Sequence, residues 1–344
     1  MNMNKLKFIF LALFLVSCSD INSNEVVVQK GKLLVNGDLY YIKGVAYHPV
    51  PVGKTKRSFE SIDQDLMLMK EAGINTIRVY EPIDDLNILN KLVKYDIKLI
   101  VSFGYNQNGF YDILSGSYID YVKKFKDHKA ILLWELGNEY NYHPEWFGGD
   151  IENWYKALNN ASINIHKHDK NHPVSTAHGD FPNDQARSLV SDIDLWGVNV
   201  YRWDQPLSIL EQWAEASSKP IYFAELGSDS YMTITRDIYE EGVSELAQSD
   251  ANSIMLNDVL NNIELSAGIV VFQFVDGLWK AGNPERQDVG GWAPNSSGVP
   301  YDGTANEEFF GLVDINRNKK MSYESVKEIF NNFNIEEVYS GQDK

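Results

Sequence analysis

The chain has 344 residues and a formal net charge of -17 at pH 7, and 44% of its residues are hydrophobic. This length suits one large domain or two small ones, and the hydrophobic fraction is that of an ordinary globular protein. The acidic charge argues against nucleic acid as a partner, because phosphates attract basic proteins. Aromatic residues are abundant, with 8 Trp and 19 Tyr, which suits a core and also a surface that binds sugars.

The first residues have the pattern of a secretory signal. Lys5 and Lys7 precede an apolar run, residues 8–16, which is too short to cross a bilayer comfortably. The run ends in Leu-Val-Ser-Cys, which resembles a bacterial lipobox, where the signal is cleaved before the cysteine and the thiol is acylated. Cys18 is the only cysteine, so no intrachain disulfide can form.

We therefore expect residues 1–17 to be a lipoprotein signal peptide and residues 18–25 to be a tether that begins with a lipidated Cys18. The protein would then be anchored in the bacterial cell envelope, at the outer membrane or in the periplasm. The alternative is an ordinary secretory signal with an incidental cysteine.

After the tether, β-rich apolar runs alternate with segments of helical periodicity. Residues 26–39 predict a short β-hairpin at the bottom of the fold. Eight strands are predicted at 40–48, 76–80, 98–105, 130–139, 173–178, 194–201, 220–227 and 268–277. Helices are predicted at 58–73, 86–95, 118–128 and 151–168, within 236–265, and at 322–333.

Eight strands that alternate with helices predict an α/β fold, the (β/α)₈ TIM barrel, which typically has about 250 residues. A doubly wound open sheet is the alternative, and the count of eight favours the barrel. We expect residues 26–340 to form this single catalytic domain. The active site of such a barrel lies at the C-terminal ends of its strands.

Two glutamates occupy such positions. Glu139 ends the fourth predicted strand, in "AILLWELGNE", and Glu225 lies near the end of the seventh, in "PIYFAELG". A buried carboxylate is unfavourable unless it is paired or used. Two carboxylates that face each other across a barrel mouth suit glycoside hydrolysis, since one protonates the leaving oxygen and the other attacks the anomeric carbon. Glu135 shares the strand with Glu139, and we expect it to be a structural acid.

The motifs "INTIRVY", "WELGNE" and "FAELG" resemble those of the retaining (β/α)₈ glycoside hydrolases of clan A. Within that clan, "YIKGVAYHP" and "DLWGVNVYRW" look most like the barrels of glycoside hydrolase family 2 and of the β-1,3-glucanosyltransferases of fungi. "FQFVDGLWKAGNPE" followed by "EEFFGLVD" resembles bacterial relatives associated with β-1,3-glucan. The resemblance covers roughly residues 40–333.

This resemblance implies a role for each motif residue. Glu139 would be the general acid/base and Glu225 the nucleophile. Asn138 would bind the 2-hydroxyl of the sugar, and Arg78 would hold the nucleophile ionised through its charge. Tyr201 would donate a hydrogen bond to the nucleophile.

Aromatic residues and histidines at other strand ends are expected to line the cleft. Trp279, after the eighth strand, would be the aromatic floor under the reacting sugar. The remaining candidates for substrate binding are Tyr47, His48, His178 and Trp203. The alternative for these rings is plain packing in the core.

We therefore predict a retaining β-glycoside hydrolase that acts on a β-glucan, with β-1,3-glucan favoured, and that needs no cofactor. Long aromatic loops at 106–116, 140–150 and 281–306 suggest several subsites, and hence an oligo- or polysaccharide as the partner. No metal is expected, because the nearby histidines of "HKHDKNH" lack the spacing of a metal site. The alternatives are transglycosylation on the same glycan, hydrolysis of β-mannan or another β-glycan, and a non-catalytic surface glycan-binding lipoprotein.

Overall fold

A computed structural model of the chain describes residues 24–105, 111–202, 205–290 and 302–335. The predicted signal peptide, the predicted lipidation site Cys18 and the predicted cleft residue Trp203 lie outside these ranges. In the part of the chain that is described, no helix is both long and apolar enough to cross a membrane.

Eight parallel strands close into a barrel, and each pairs with its neighbours in sequence. They are β1 (Ile42–Ala46), β2 (Thr76–Val79), β3 (Lys98–Phe103), β4 (Ile131–Asn138), β5 (Val174–Gly179), β6 (Trp196–Asn199), β7 (Ile221–Leu226) and β8 (Gly268–Val271). Strand β8 pairs with β1 and completes the closure. The predicted (β/α)₈ barrel is confirmed, and the doubly wound open sheet is wrong.

Eight α-helices lie along the strands in the described ranges. They are α1 (Ile62–Glu71), α2 (Leu86–Lys94), α3 (Tyr118–Phe125), α4 (Ile151–His168), α5 (Asp184–Leu189), α6 (Leu207–Ala216), α7 (Glu245–Leu260) and α8 (Met321–Asn332). Helix α4 has the predicted bounds. At the start of α4, the Asp150 carboxylate accepts a hydrogen bond from the Glu152 backbone N–H, as expected of an N-cap. The apolar face of the helix, which includes Trp154 and Leu158, is buried.

The predicted hairpin at the bottom of the barrel is present and has a third strand. Val26–Gln29, Lys32–Val35 and Asp38–Leu39 form an antiparallel sheet. Two-residue turns join them, Lys30-Gly31 and Asn36-Gly37, with positive φ at all four residues, as type I′ turns require. Val26 and Leu33 are buried and pack into the apolar cluster of the barrel interior, so the sheet closes the end opposite the strand C-termini.

The eighth strand is shorter than predicted, ending at Val271 rather than residue 277. Beyond it the backbone N–H of Phe272 still donates to the Leu226 carbonyl of β7, but that of Gln273 donates to the Phe310 carbonyl, outside the barrel strands. An apolar run does not reveal this change of partners. The hydrogen bond to Phe310 brings Gln273 to the mouth of the barrel.

Candidate active site

The path of the chain after β4 aims Glu139 into the barrel mouth. Gly137 has φ +75°, and an added Cβ would lie 2.6 Å from the Trp154 ring, so this position requires glycine. Glu139 is itself left-handed, with φ 55°, and its backbone N–H donates to the Ala177 carbonyl at 2.8 Å. The Gly-Asn-Glu sequence therefore turns the end of β4 toward the cleft.

Arg78 on β2 lies at the centre of the polar network and is fully buried. Its Nε donates to both oxygens of the Glu135 carboxylate, at 2.9 and 3.0 Å. Its Nη1 donates to Glu225 Oε1 at 2.8 Å, and its Nη2 to Asn138 Oδ1 at 2.7 Å. Burial alone would lower the pKa of this guanidinium, but the neighbouring carboxylates, Glu135 first, hold the pKa well above its usual value. Arg78 thus joins β2, β4 and β7.

The Glu225 carboxylate accepts hydrogen bonds from three side chains. Arg78 Nη1 and the Tyr80 hydroxyl both donate to Oε1, at 2.8 and 2.7 Å. The Tyr201 hydroxyl donates to Oε2 at 2.8 Å, which is the hydrogen bond expected from the resemblance. Charge-assisted hydrogen bonds stabilise a carboxylate strongly, so the ion is fixed in place and only 6% exposed.

Glu139 has a different environment. Asn199 Nδ2 donates to its Oε1 at 3.1 Å. Burial raises the pKa of Glu139 to about 7, and the negative charge of Glu225 adds to the rise. The site therefore holds one carboxylate with three donors and one carboxyl group that is partly protonated near pH 7, which is the asymmetry that an acid/base pair requires.

Asn138 is oriented by its partners. Its Oδ1 accepts from Arg78 Nη2 and from Asn199 Nδ2, at 2.7 and 3.0 Å. Because a guanidinium can only donate, the amide oxygen must face Arg78. The Asn138 amide N–H₂ is then the group available to a ligand in the cleft, which Asn138 lines.

These residues surround a cleft of about 440 Å³, which is large enough for a sugar unit. Its lining residues are His48, Thr55, Tyr80, Glu81, Asn138, Glu139, Glu225, Phe272, Gln273, Trp279, Lys280 and Glu307. The expected cleft residues His48 and Trp279 are both present, with ring centroids 5.2 Å apart. Tyr201 does not line the cleft itself, but its hydroxyl contacts Glu225, which does.

The structure does not place two of the expected cleft residues there. The Tyr47 ring is fully buried, and its hydroxyl donates to Asp65 at 2.7 Å, between β1 and α1. His178 is 7% exposed, and its ring stacks on the Tyr155 ring, with centroids 6.3 Å apart. Successive residues of a strand point to opposite faces, and these two point to the helix side of the barrel. Their assignment to substrate binding is corrected to packing.

Eight residues of the site were not predicted from the sequence: Thr55, Tyr80, Glu81, Asn199, Phe272, Gln273, Lys280 and Glu307. Tyr80 has a usable signal, since it lies two residues after Arg78 and shares its face. Asn199 ends β6, as Asn138 ends β4. Gln273 and Glu307 give no such signal, because Gln273 follows an irregular strand end and Glu307 begins a short 3₁₀ turn far along the chain.

The raised pKa of Glu139 predicts a stability difference that depends on pH. A carboxyl group with a folded-state pKa above its unfolded value destabilises the fold as the pH rises through that interval, here from about 4.5 to about 7. Relative to Glu139→Gln, we expect wild type to lose about 2 kcal/mol of its free energy of unfolding between pH 5 and pH 8, allowing for solvent screening. Urea denaturation at both pH values measures this, and parallel curves for the two proteins would contradict it.

Comparisons with known proteins agree with this fold. No protein-family model matches the sequence. The chain is 25% identical over 267 residues to the 1,3-beta-glucanosyltransferase GAS4 of Saccharomyces cerevisiae, covering 65% of this chain and 56% of that protein. It is 27% identical over 190 residues to mannan endo-1,4-beta-mannosidase F of Aspergillus clavatus, covering 41% of this chain and 43% of that protein.

Among solved structures, the beta-D-glucuronidase of Dictyoglomus thermophilum superposes with a TM-score of 0.66 at 18% identity. The match covers 90% of this chain and 54% of that chain. This chain thus spans about half the length of the relatives it matches. At this identity, the structural likeness shows the barrel fold. Together with the curated relatives, it confirms that the chain resembles the (β/α)₈ glycoside hydrolases of clan A.

Proposed function

We propose that the protein is a retaining β-glycoside hydrolase that acts by double displacement. The observation that carries this proposal is the pairing of two carboxyl groups in one cleft: Glu225 accepts three hydrogen bonds, while the pKa of Glu139 is raised to about 7. One group is suited to attack as an anion and the other to donate a proton.

In the first step, a Glu225 carboxylate oxygen attacks the anomeric carbon as the glycosidic C–O bond breaks. Glu139 transfers its proton to the leaving oxygen, which departs as an alcohol. In the second step, Glu139 takes a proton from water, the water oxygen attacks the anomeric carbon, and the ester bond to Glu225 breaks. For retention, we expect the two carboxyl groups to be about 5–5.5 Å apart.

The two steps need opposite protonation states of Glu139, and the site supplies a cause for the change. The charge of Glu225 helps to raise the pKa of Glu139. When Glu225 is esterified that charge is lost, so the pKa of Glu139 falls and the group becomes a base. Arg78, Tyr80 and Tyr201 hold the anion before attack and stabilise it again as it leaves.

We propose a β-glucan as the substrate, with β-1,3-glucan favoured. The sequence motifs after β8 and the relative named 1,3-beta-glucanosyltransferase support this choice. The relative named mannan endo-1,4-beta-mannosidase F makes β-mannan the alternative. Trp279 at the cleft offers an apolar face for the C–H side of a sugar ring.

Product analysis tests the reaction and the substrate together. Protein that lacks residues 1–25 is incubated with β-1,3-glucan, mixed-linkage glucan, β-mannan and xylan, beside Glu225→Gln. Short products from β-1,3-glucan that are absent with the variant are the expected result. Cleavage of mannan or xylan alone would contradict the proposal that the substrate is a β-glucan. Binding of glycans with no turnover of any of the four would contradict the proposal that the protein is an enzyme.

Transglycosylation is the second candidate, and the glucanosyltransferase relative is the observation that favours it. The same glycosyl ester on Glu225 can be intercepted by a sugar hydroxyl instead of water. Products longer than the starting oligosaccharide would establish this reaction in the same experiment.

We also propose that Cys18 is lipidated and anchors the protein in the cell envelope, as the pattern of residues 1–18 indicates. We expect Cys18→Ala to move the protein from the membrane fraction to the soluble fraction after expression in a bacterial host. Cys18→Ser is the matched variant and should behave alike. Membrane association that persists in both variants would contradict the anchor.

A further inference from the structure

The cleft contains one ammonium group among its described lining residues, and this group is already paired. Lys280 follows β8, and its Nζ donates to Glu307 Oε2. The same ammonium lies 4.3 Å from the centroid of the Phe272 ring, a favourable cation–π distance. The side chains of the ion pair are 14% and 22% exposed. Glu307 takes one of the three N–H donors of this ammonium and offsets its positive charge, so a ligand carboxylate would meet a cation that is already neutralised.

The other described cationic side chains near the cleft either have partners or lie outside it. Arg78 is fully buried behind Glu225, where it contacts two carboxylates and an amide. Arg57 donates to the backbone carbonyls of Glu81 and Pro82. Lys54 and Lys56 line a neighbouring surface hollow instead. The internal segments 106–110, 203–204 and 291–301 contain no Lys or Arg in their sequence.

Acidic side chains outnumber this ammonium. Glu81, Glu139, Glu225 and Glu307 all line the cleft. Like charges brought together in a partly buried site repel each other strongly. A ligand carboxylate would therefore meet several negative groups and no unpaired cation from the described lining.

Among the described residues that line the cleft, two buried polar atoms lack a hydrogen-bond partner, and both belong to uncharged groups. They are His48 Nδ1 and Gln273 Nε2, and Gln273 is only 4% exposed. Burial lowers the pKa of His48 to about 4, with Arg57 and Lys280 adding to the fall, so the imidazole is neutral at pH 7. Buried polar groups normally have partners, and sugar hydroxyls are donors and acceptors that would match these two atoms.

We infer that the cleft selects an uncharged glycosyl unit over a uronic acid, and that Glu307 sets this selectivity by holding Lys280. His48 and Gln273 then recognise hydroxyl groups of that neutral unit. The inference rests on the proposed function and names its substrate class. Glu307 acts through Lys280, so it is a specificity-determining residue and not a catalytic one.

The test uses two ligands that differ only at C6: a β-1,3-gluco-oligosaccharide, and the same oligosaccharide with its C6 hydroxymethyl groups oxidised to carboxylates. Three proteins are compared, namely wild type, Glu307→Gln, and the double variant Lys280→Gln/Glu307→Gln. Each is assayed for kcat/KM with both ligands. Each is also combined with Glu225→Gln, and binding is measured by isothermal titration calorimetry, which does not depend on turnover.

We expect wild type to prefer the neutral oligosaccharide by at least about 100-fold. In Glu307→Gln the Lys280 ammonium has no carboxylate partner, so the preference for the neutral oligosaccharide should fall at least about tenfold. The double variant removes this ammonium and should restore most of the preference. Equal or tighter binding of the oxidised ligand by wild type would overturn the inference. An unchanged preference for the neutral ligand in Glu307→Gln would also overturn it. So would a double variant that loses as much of this preference as Glu307→Gln does, because the effect would then not depend on Lys280.

The two proposals fail in different ways. If wild type turns over no β-glycan, the proposed function is wrong, and the calorimetric comparison still decides whether the cleft rejects carboxylates. If wild type cleaves the oxidised oligosaccharide as well as the neutral one, the hydrolase stands and the inference about Glu307 is wrong.

Discussion

Glu225→Gln is expected to lower kcat for glycoside hydrolysis by about 10⁴-fold or more, because the amide cannot form the glycosyl ester. The change keeps the shape of the side chain and lets Tyr80 and Tyr201 remain hydrogen-bonded. Glycan binding should therefore persist while turnover is lost. Measurement of kcat and of the glycan dissociation constant separates the two effects.

A second readout of the same variant reports on Glu139. The negative charge of Glu225 is one cause of the raised pKa of Glu139, so removing that charge should lower the pKa of Glu139. The matched control is Glu211→Gln, an exposed carboxylate on α6, which should leave both rate and pKa unchanged. A Glu225→Gln protein that keeps more than about a tenth of the wild-type kcat would exclude Glu225 as the nucleophile.

Arg78→Met is expected to cost about 3–5 kcal/mol of the free energy of unfolding. The guanidinium is fully buried and contacts the carboxylates of Glu135 and Glu225, and removing one partner of a buried ion pair leaves an uncompensated charge in the interior. Turnover should be lost as well, since Glu225 would lose one of its three donors. Denaturation by urea at pH 7 measures the stability change.

The control for this variant is an exposed ion pair. Lys91 on α2 contacts Asp63 at 2.6 Å, but the two side chains are 34% and 65% exposed. Surface pairs of this kind contribute about 0–1 kcal/mol, so Lys91→Met should change stability little. Equal and small losses in both variants would show that the buried network is not what joins β2, β4 and β7.

Much of this architecture can be predicted from the sequence, because the barrel repeats one simple unit. The apolar runs and helical periods locate all eight strands, and the carboxylates that follow β4 and end β7 stand out against them. Strand-end positions in a parallel barrel converge on one mouth. That geometry is sufficient to predict that Glu139 and Glu225 meet, and they do line one cleft.

Which face each residue takes is harder to predict. Strands that are buried on both sides are apolar throughout, so their sequence does not show which alternate residues point inward. Along β1, Ile42 and Ala46 face the interior cluster while Val45 packs on the helix side. Tyr47 continues the outward series and His48 the inward one. The prediction that both line the cleft was therefore correct for only one of them.

Other parts of the site depend on contacts between distant segments. Glu307 reaches the cleft from a 3₁₀ turn, Glu307–Phe309, and meets Lys280 across 27 positions of sequence. The position of Gln273 depends on backbone hydrogen bonds that leave the barrel pattern after β8. Periodicity carries no information about such long-range contacts, whereas it places the strand-end carboxylates well.

Trapping of the covalent intermediate tests directly whether Glu225 is the nucleophile. The protein is incubated with a 2-deoxy-2-fluoro β-glycoside that has a good leaving group. The fluorine slows both the formation and the hydrolysis of the glycosyl ester, and the good leaving group restores the rate of formation, so the ester accumulates. Digestion and mass spectrometry then locate the attached sugar. We expect one sugar on Glu225, and none on the Glu225→Gln protein. Turnover of natural glycan with no sugar on Glu225, and with inversion at the anomeric carbon, would contradict it.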